Sequence, residues 1–181
     1  MPQQPPSIQV HGECLLQFPG FPLVLYQMWL REGLTEAFDE TDCFRRLIGS
    51  GAYQNQRWNH SSKGEHGPFA VSKIRPDHYE RISSEELEKT LRERVIPASQ
   101  TELDRYLDPW PSPHLLQRRL MALLNYIQSH DLRWYRLAIS LDEDQYWSEG
   151  HREVPILDHF EEWVGVDPKG SMVYMLQLTR D

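Results

Sequence analysis

Cysteine is scarce in this chain: Cys14 and Cys43 are its only two among 181 residues. So few thiols exclude a disulfide framework, and with no Cys-x-x-Cys pair a thiolate zinc site is not indicated. Both cysteines are expected to be reduced and buried. Long apolar runs are also missing. The longest are Phe21–Tyr26, which contains Pro22, and Leu120–Leu124. Both fall far short of the roughly 18 residues a membrane span needs. The opening Met-Pro-Gln-Gln-Pro-Pro-Ser has neither the basic start nor the apolar core of a signal peptide. A cytoplasmic location follows by elimination. No Gly-x-Ser-x-Gly, phosphate-binding Gly-Lys-Ser/Thr loop, Gly-x-Gly-x-x-Gly or His-Glu-x-x-His occurs. The balance leans away from an enzyme, no cofactor or metal is called for, and no known family's motifs can be quoted from these residues.

The chain does have the means to build a core. Hydrophobic residues make up 39% and charged residues 25%, with six Trp, eight Tyr and six Phe, an ordinary globular composition. One domain over residues 8–181, preceded by a disordered tail at 1–7, is the economical reading for this length. The net charge of −8 is unevenly spread: residues 1–44 contribute −5, residues 45–94 contribute +3 and residues 95–181 contribute −6. The acidic total argues against a dedicated duplex-DNA binder, whose affinity comes largely from neutralising phosphates.

Periodicity gives the expected elements. Residues 8–18 read as a strand, Pro19-Gly20 as a turn, and 22–32 as a helix with Leu25, Met28 and Trp29 on one stripe and Gly33 as its stop. A short helix from Thr41 or Asp42 carries Phe44, Leu47 and Ile48, and ends at Gly49-Ser50-Gly51. Residues 51–68 read as a loop and 69–75 as a strand closed by Pro76. Ser83 with Glu86 is a capping box for a helix bearing Leu87, Leu91 and Val95, which Pro97 should end; Ser99 and Glu102 repeat the pattern before a further short turn. Ser112-Pro113 starts a helix to about Ser129, with Leu116, Leu120, Leu123, Leu124 and Ile127 on one stripe. Residues 132–141 read as a strand, 142–150 as an acidic loop, 155–164 as a helix with Ile156, Phe160, Trp163 and Val164 inward, stopped by Gly165, and 172–178 as a final strand. The implied fold is α+β: helices packed on a mixed or antiparallel sheet of about four strands.

Two segments carry chemistry. In residues 45–81, Arg57, Trp58, His60, His66 and Arg75 mix cations, rings and imidazoles. Cations hold phosphates and ring faces stack bases, so this mixture suits a nucleotide or RNA. His60 and His66 could also share acid–base work with Glu65 or Asp77. Farther on, His151 and His159 lie near Asp158, Glu161 and Glu162. The second segment, from Asp142 to Glu162, holds eight acids against Arg152. Within it Asp142, Glu143, Asp144, Tyr146, Trp147 and Glu149 combine charges that steer with rings that anchor. The expectation is a small acidic interaction protein, of the immunity-protein or antitoxin kind, that masks a basic partner protein. The alternative is an enzyme or binding module acting on a nucleotide or RNA through residues 45–81. No membrane partner is expected.

Overall fold

The computed structural model describes residues 8–18, 21–30, 39–54, 64–103, 113–153, 157–167 and 172–180. In chain order these form β1 (Ile8–Phe18), β2 (Phe21–Leu30), α1 (Glu40–Ile48), α2 (Gly51–Gln54), β3 (Glu65–His66), β4 (Phe69–Ala70), β5 (Tyr79–Ile82), α3 (Ser84–Leu103), α4 (Pro113–Ser129), β6 (Arg133–Leu137), α5 (Glu149–Glu153), β7 (His159–Asp167) and β8 (Met172–Arg180). Six strands make one sheet in the order β1-β2-β8-β7-β6-β5, and β3 and β4 make a separate hairpin. All pairings are antiparallel. The fold is α+β with helices on an antiparallel sheet, as expected, but the sheet has six strands.

Alternation along the strands decides which helices cover which face. Tyr135 and Leu137 of β6, Phe160, Val164 and Val166 of β7, and Val173 and Met175 of β8 face α1, α2, the β3–β4 hairpin and Trp147. Trp134, Trp163, Tyr174, Leu176 and Leu178 face α3 and α4, meeting Leu87, Leu91, Leu120, Leu123, Leu124 and Ile127. The sheet is thus sandwiched at β6–β8, and two segments that read as helices are strands in it. The helix expected over 22–32 is a strand over its described residues: β2 pairs with β1 along one edge and with β8 along the other. Pro22 sits at its start, opposite Gln17 and before the first residue paired to β8, where a missing N–H costs least. Residues 155–164 are not a helix either. β7 runs from His159 to Asp167, and Gly165 lies inside it beneath the ring of Trp134. A strand covered on both faces loses the period-2 signature and becomes indistinguishable from a buried helix by pattern.

Shorter elements were misjudged for local reasons. Of the expected 69–75 strand only Phe69–Ala70 is paired as a strand; Val71–Lys73 turns into a 3-10 helix, and Ile74 and Arg75 are extended but belong to no strand. Pro97 does not end α3, which continues to Leu103 and so includes Ser99 and Glu102 in one helix. The strand expected over 132–141 stops at Leu137, and the acidic loop contains α5 and a 3-10 turn at Asp144–Tyr146. Residues 51–54 are helical, not loop.

Other expectations hold as read. Asp39 caps α1 by accepting from the N–H groups of Thr41 (2.9 Å) and Asp42 (3.3 Å), Gly49 closes it, and Cys43, Phe44, Leu47 and Ile48 are buried. α4 spans Pro113–Ser129 with Leu120, Leu123, Leu124 and Ile127 of its stripe inward. Glu88 pairs with Arg92 (2.7 Å), while Lys89 turns to Glu93. Cys43 is a free buried thiol, and burial pushes it up to about 12. The expectations placed on residues 1–7, Pro19-Gly20, Gly33, Ser112 and Ile156 lie outside the described residues. No described helix is long and apolar enough to cross a membrane.

Candidate functional site

The acidic segment begins where β6 ends. Glu143 accepts from the N–H of Ser140 (3.0 Å), and its own N–H returns to the Ser140 carbonyl (3.1 Å), closing a tight turn. Trp147 then makes a β-bridge to Phe69, and its indole donates to the Leu141 carbonyl (2.9 Å). Ser148 N–H reaches the Pro68 carbonyl (2.9 Å), Lys73 Nζ the Trp147 carbonyl (3.2 Å) and Arg152 the Asp144 carbonyl (2.8 Å). The Tyr146 ring stands edge-on to His78. Tyr146 and Trp147 are half-buried and pack against the core. They fasten the segment to the domain more than they project from it. What does project is charge: Asp142, Asp144, Glu149 and Glu153 are exposed, and none forms an ion pair with a described residue. Elsewhere Asp42, Asp77, Glu80, Glu88, Glu93 and Glu161 each lie within ion-pair distance of an arginine or lysine.

The structure also divides the acids at the end of the segment. Because β7 is a strand, Glu161 and Glu162 point to opposite faces of the sheet, as do His159 and Phe160. Glu161 lies toward α3, 3.2 Å from Arg94 Nε and 3.2 Å from His159 Nε2. Burial alone would raise its pKa; the imidazole of His159 and the charges of Arg94 and Arg136 outweigh that and hold it below the ordinary carboxylate range. Glu162 is fully buried on the other face. Tyr79 Oη donates to its Oε1 (2.7 Å), while Gln177 Nε2 donates to Oε2 (2.6 Å) and His66 Nε2 lies 2.6 Å from the same oxygen. Since the Tyr79 proton is committed, Tyr53 donates to Tyr79 (2.6 Å). The Tyr53 carbonyl takes the Nδ1 proton of His66 (2.9 Å), whose ring stacks on the Tyr53 ring at 3.5 Å. Burial and then the Glu162 charge push both phenols well above their ordinary value, keeping them donors. Nothing in the sequence linked Glu162 to His66, 96 residues away.

Among the residues considered for a nucleotide or RNA, Arg57, Trp58 and His60 lie outside the described residues. His66 is sealed in the core with Glu162, and neither Glu65 nor Asp77 is its partner. Arg75 is on the surface, engaged by Asp77 at 3.1 Å. Arg45 and Arg75 do rim a cavity of about 490 Å3 over Phe44, Tyr79 and Tyr135. Those rings are packed on one another, Phe44 stacked on Tyr79 and edge-on to Tyr135, and all three are buried, so no open ring face is offered. His151 is buried beside Trp147, apart from the strand that carries His159. Among the described residues no group of three or more His, Cys, Asp or Glu could hold a metal ion.

No family model matches the chain. No curated protein matches it. Two crystal structures of citrus MAF1, in space groups C 2 2 21 and P 31 2 1, are similar over 91% of this chain and 91% and 92% of theirs. The identities are 9% and 10% and the TM-score is 0.40 in both, too distant a likeness to bear on function.

Proposed function

We propose that this protein is an interaction module that captures a basic partner protein on the acidic strip formed by Asp142, Asp144, Glu149 and Glu153. The observation that carries this reading is the contrast in charge pairing. Asp42, Asp77, Glu80, Glu88, Glu93 and Glu161 have a cation beside them, whereas these four, all exposed and grouped on one segment, have none among the described residues. Their backbone is held by the Trp147–Phe69 bridge and by the bonds to Pro68, Lys73 and Arg152. A strip ordered beforehand loses little freedom on binding, so more of the interaction energy is kept. Arg152 is the one cation within it, and its guanidinium is occupied by a carbonyl. Unpaired surface carboxylates speed encounter with a cationic surface and select against acidic ones. A protein whose own groove holds phosphates offers such a surface, and covering that groove is how a small acidic chain of the immunity-protein or antitoxin kind would inhibit it.

The test is capture by the tagged protein from lysate of its source cells, in parallel with two variants of equal charge loss. One is Asp142→Asn/Asp144→Asn/Glu149→Gln; the other is Asp42→Asn/Asp77→Asn/Glu86→Gln, elsewhere on the surface. The expected result is one basic protein held at low salt by the wild type and the second variant, released at high salt and not held by the first. Equal capture by both variants, or a partner indifferent to salt, removes the reading.

A further inference from the structure

β6 and β7 run side by side only from Arg133↔Val166 to Arg136↔Trp163. In continued register Leu137 would face Glu162 and Leu141 would face Asp158, yet no pairing joins those residues. β7 meanwhile stays paired to β8 as far as His159↔Arg180. The ladder is open within the sheet. A groove of about 650 Å3 fills the opening, with residues 137–142 on one bank, 158–161 on the other and Thr90, Glu93 and Arg94 of α3 alongside. The β6 bank is held away by bonds made elsewhere: Ala138 N–H to the His78 carbonyl (2.8 Å), Ser140 N–H to Glu143, and the Leu141 carbonyl to the Trp147 indole. The β7 bank is a strand edge over Phe160–Glu162, with no strand beside it on that side among the described residues. Unpaired edges inside a sheet are templates for another strand.

We propose that this opening is a slot in which an extended basic segment of the partner adds as a strand between the end of β6 and β7. The proposal rests on the reading above that the partner is basic, and names how it is held. Charge fits the occupant. Glu93, Asp142, Asp158 and Glu161 face the groove against Arg94 and Arg136, which are engaged by Glu161 and Glu80. Asp142 and Asp158 have no cation among the described residues. The pleat sets a pattern as well. One face of an inserted strand would meet the buried Leu137, Ile139 and Phe160, and the other would meet Glu93, Asp142 and Glu161. Alternating apolar and basic residues are therefore required. The opening, Leu137–Leu141 against Asp158–Glu162, accepts about five residues, or roughly 16 Å of strand at 3.3 Å each.

The probe is a blocked hexapeptide alternating lysine and valine. It is compared with a glutamate–valine peptide and with the two lysine–valine isomers N-methylated at alternate backbone positions. Binding is read by fluorescence anisotropy, and amide exchange by mass spectrometry. The lysine–valine peptide should bind and slow exchange at residues 159–162. The glutamate peptide should not bind, and one N-methyl isomer should lose binding because it cannot complete the ladder. Asp142→Asn/Asp158→Asn should weaken binding roughly 2- to 20-fold. Equal binding of both N-methyl isomers without amide protection, or no binding of the lysine–valine peptide, overturns the slot. In either case the basic-partner reading survives if strip-dependent capture persists, and falls only if capture fails too. Concentration-dependent protection of 159–162 without any peptide would assign the slot to a second copy of this chain, and also overturns the proposal.

Discussion

Removing the Glu162 carboxylate leaves His66, Tyr79 and Gln177 aimed at an empty acceptor position in the core. Breaking a buried pair from one side costs about 3–5 kcal/mol, most of it desolvation of the groups left behind. Glu162→Ala should therefore lose about that much in urea unfolding. Its neighbour offers an internal control: Glu161 faces partly exposed cations, and Glu161→Ala should cost about 1 kcal/mol or less. Equal losses would mean that the buried network carries no more than a surface pair. Gly165 makes the same point about shape. A Cβ there would lie 2.8 Å from the Trp134 ring, in a core with no room to move it aside. Gly165→Ala should cost about 1–3 kcal/mol, with the Trp134 environment changed in near-ultraviolet circular dichroism. Neither role could be seen in the sequence. Glu161-Glu162 reads as two equivalent surface acids, and Gly165 as a helix stop, until β7 is known to be a strand.

Among the elements, α4 and α1, with a single apolar stripe, were legible, and β7, covered on both faces, was not. α4 announces itself because Leu120, Leu123, Leu124 and Ile127 form a stripe with polar residues opposite. α1 does so through Phe44, Leu47 and Ile48 and the stop at Gly49; its cap at Asp39 was not read. β2 and β7 offer apolar residues at i, i+3 and i+4, a helical pattern; only their pairing partners, distant in the chain, decide otherwise. The acidic strip was legible as composition, including Asp142, Asp144 and Glu149. The groove was not, since it arises from the divergence of β6 and β7. α3 shows a local rule overridden: Pro97 lies inside a helix of 20 residues, where it removes a donor from the ladder. Pro97→Ala should restore that bond and stabilise the protein by about 1–2 kcal/mol, the helical gain less the unfolded-state entropy that proline had suppressed. A midpoint in urea that falls or stays put would show that α3 is bent there for a reason that alanine cannot meet.

At the scale of the whole molecule the charge imbalance and the buried imidazoles combine into a dependence on pH. Burial lowers the pKa of His78, with the charge of Arg75 helping and Asp77 and Glu143 only partly opposing. His78 Nδ1 accepts from the N–H of Arg75 (3.2 Å), so protonation there would set two donors against each other. Burial likewise lowers His151, with Glu65 opposing. Both groups bind a proton less readily folded than unfolded, so their contribution is fully present above the ordinary imidazole pKa of about 6.5 and is lost as pH falls through the depressed folded values. Glu161 is also depressed in the folded state, so its contribution is present above the unfolded carboxylate pKa and disappears as pH falls below it. Three groups thus weaken the fold in the same direction, the histidines first. Stability by urea unfolding should be flat above about pH 7.5, decline through the imidazole range and decline again in the carboxylate range. His78→Asn, whose amide oxygen can still accept from Arg75, should reduce the first decline and leave the second. Capture on the acidic strip does not depend on these three groups, so it should persist through the first decline in stability. If capture fails together with the first decline, the partner is reading the fold around His78 and His151 instead of the charge on the strip.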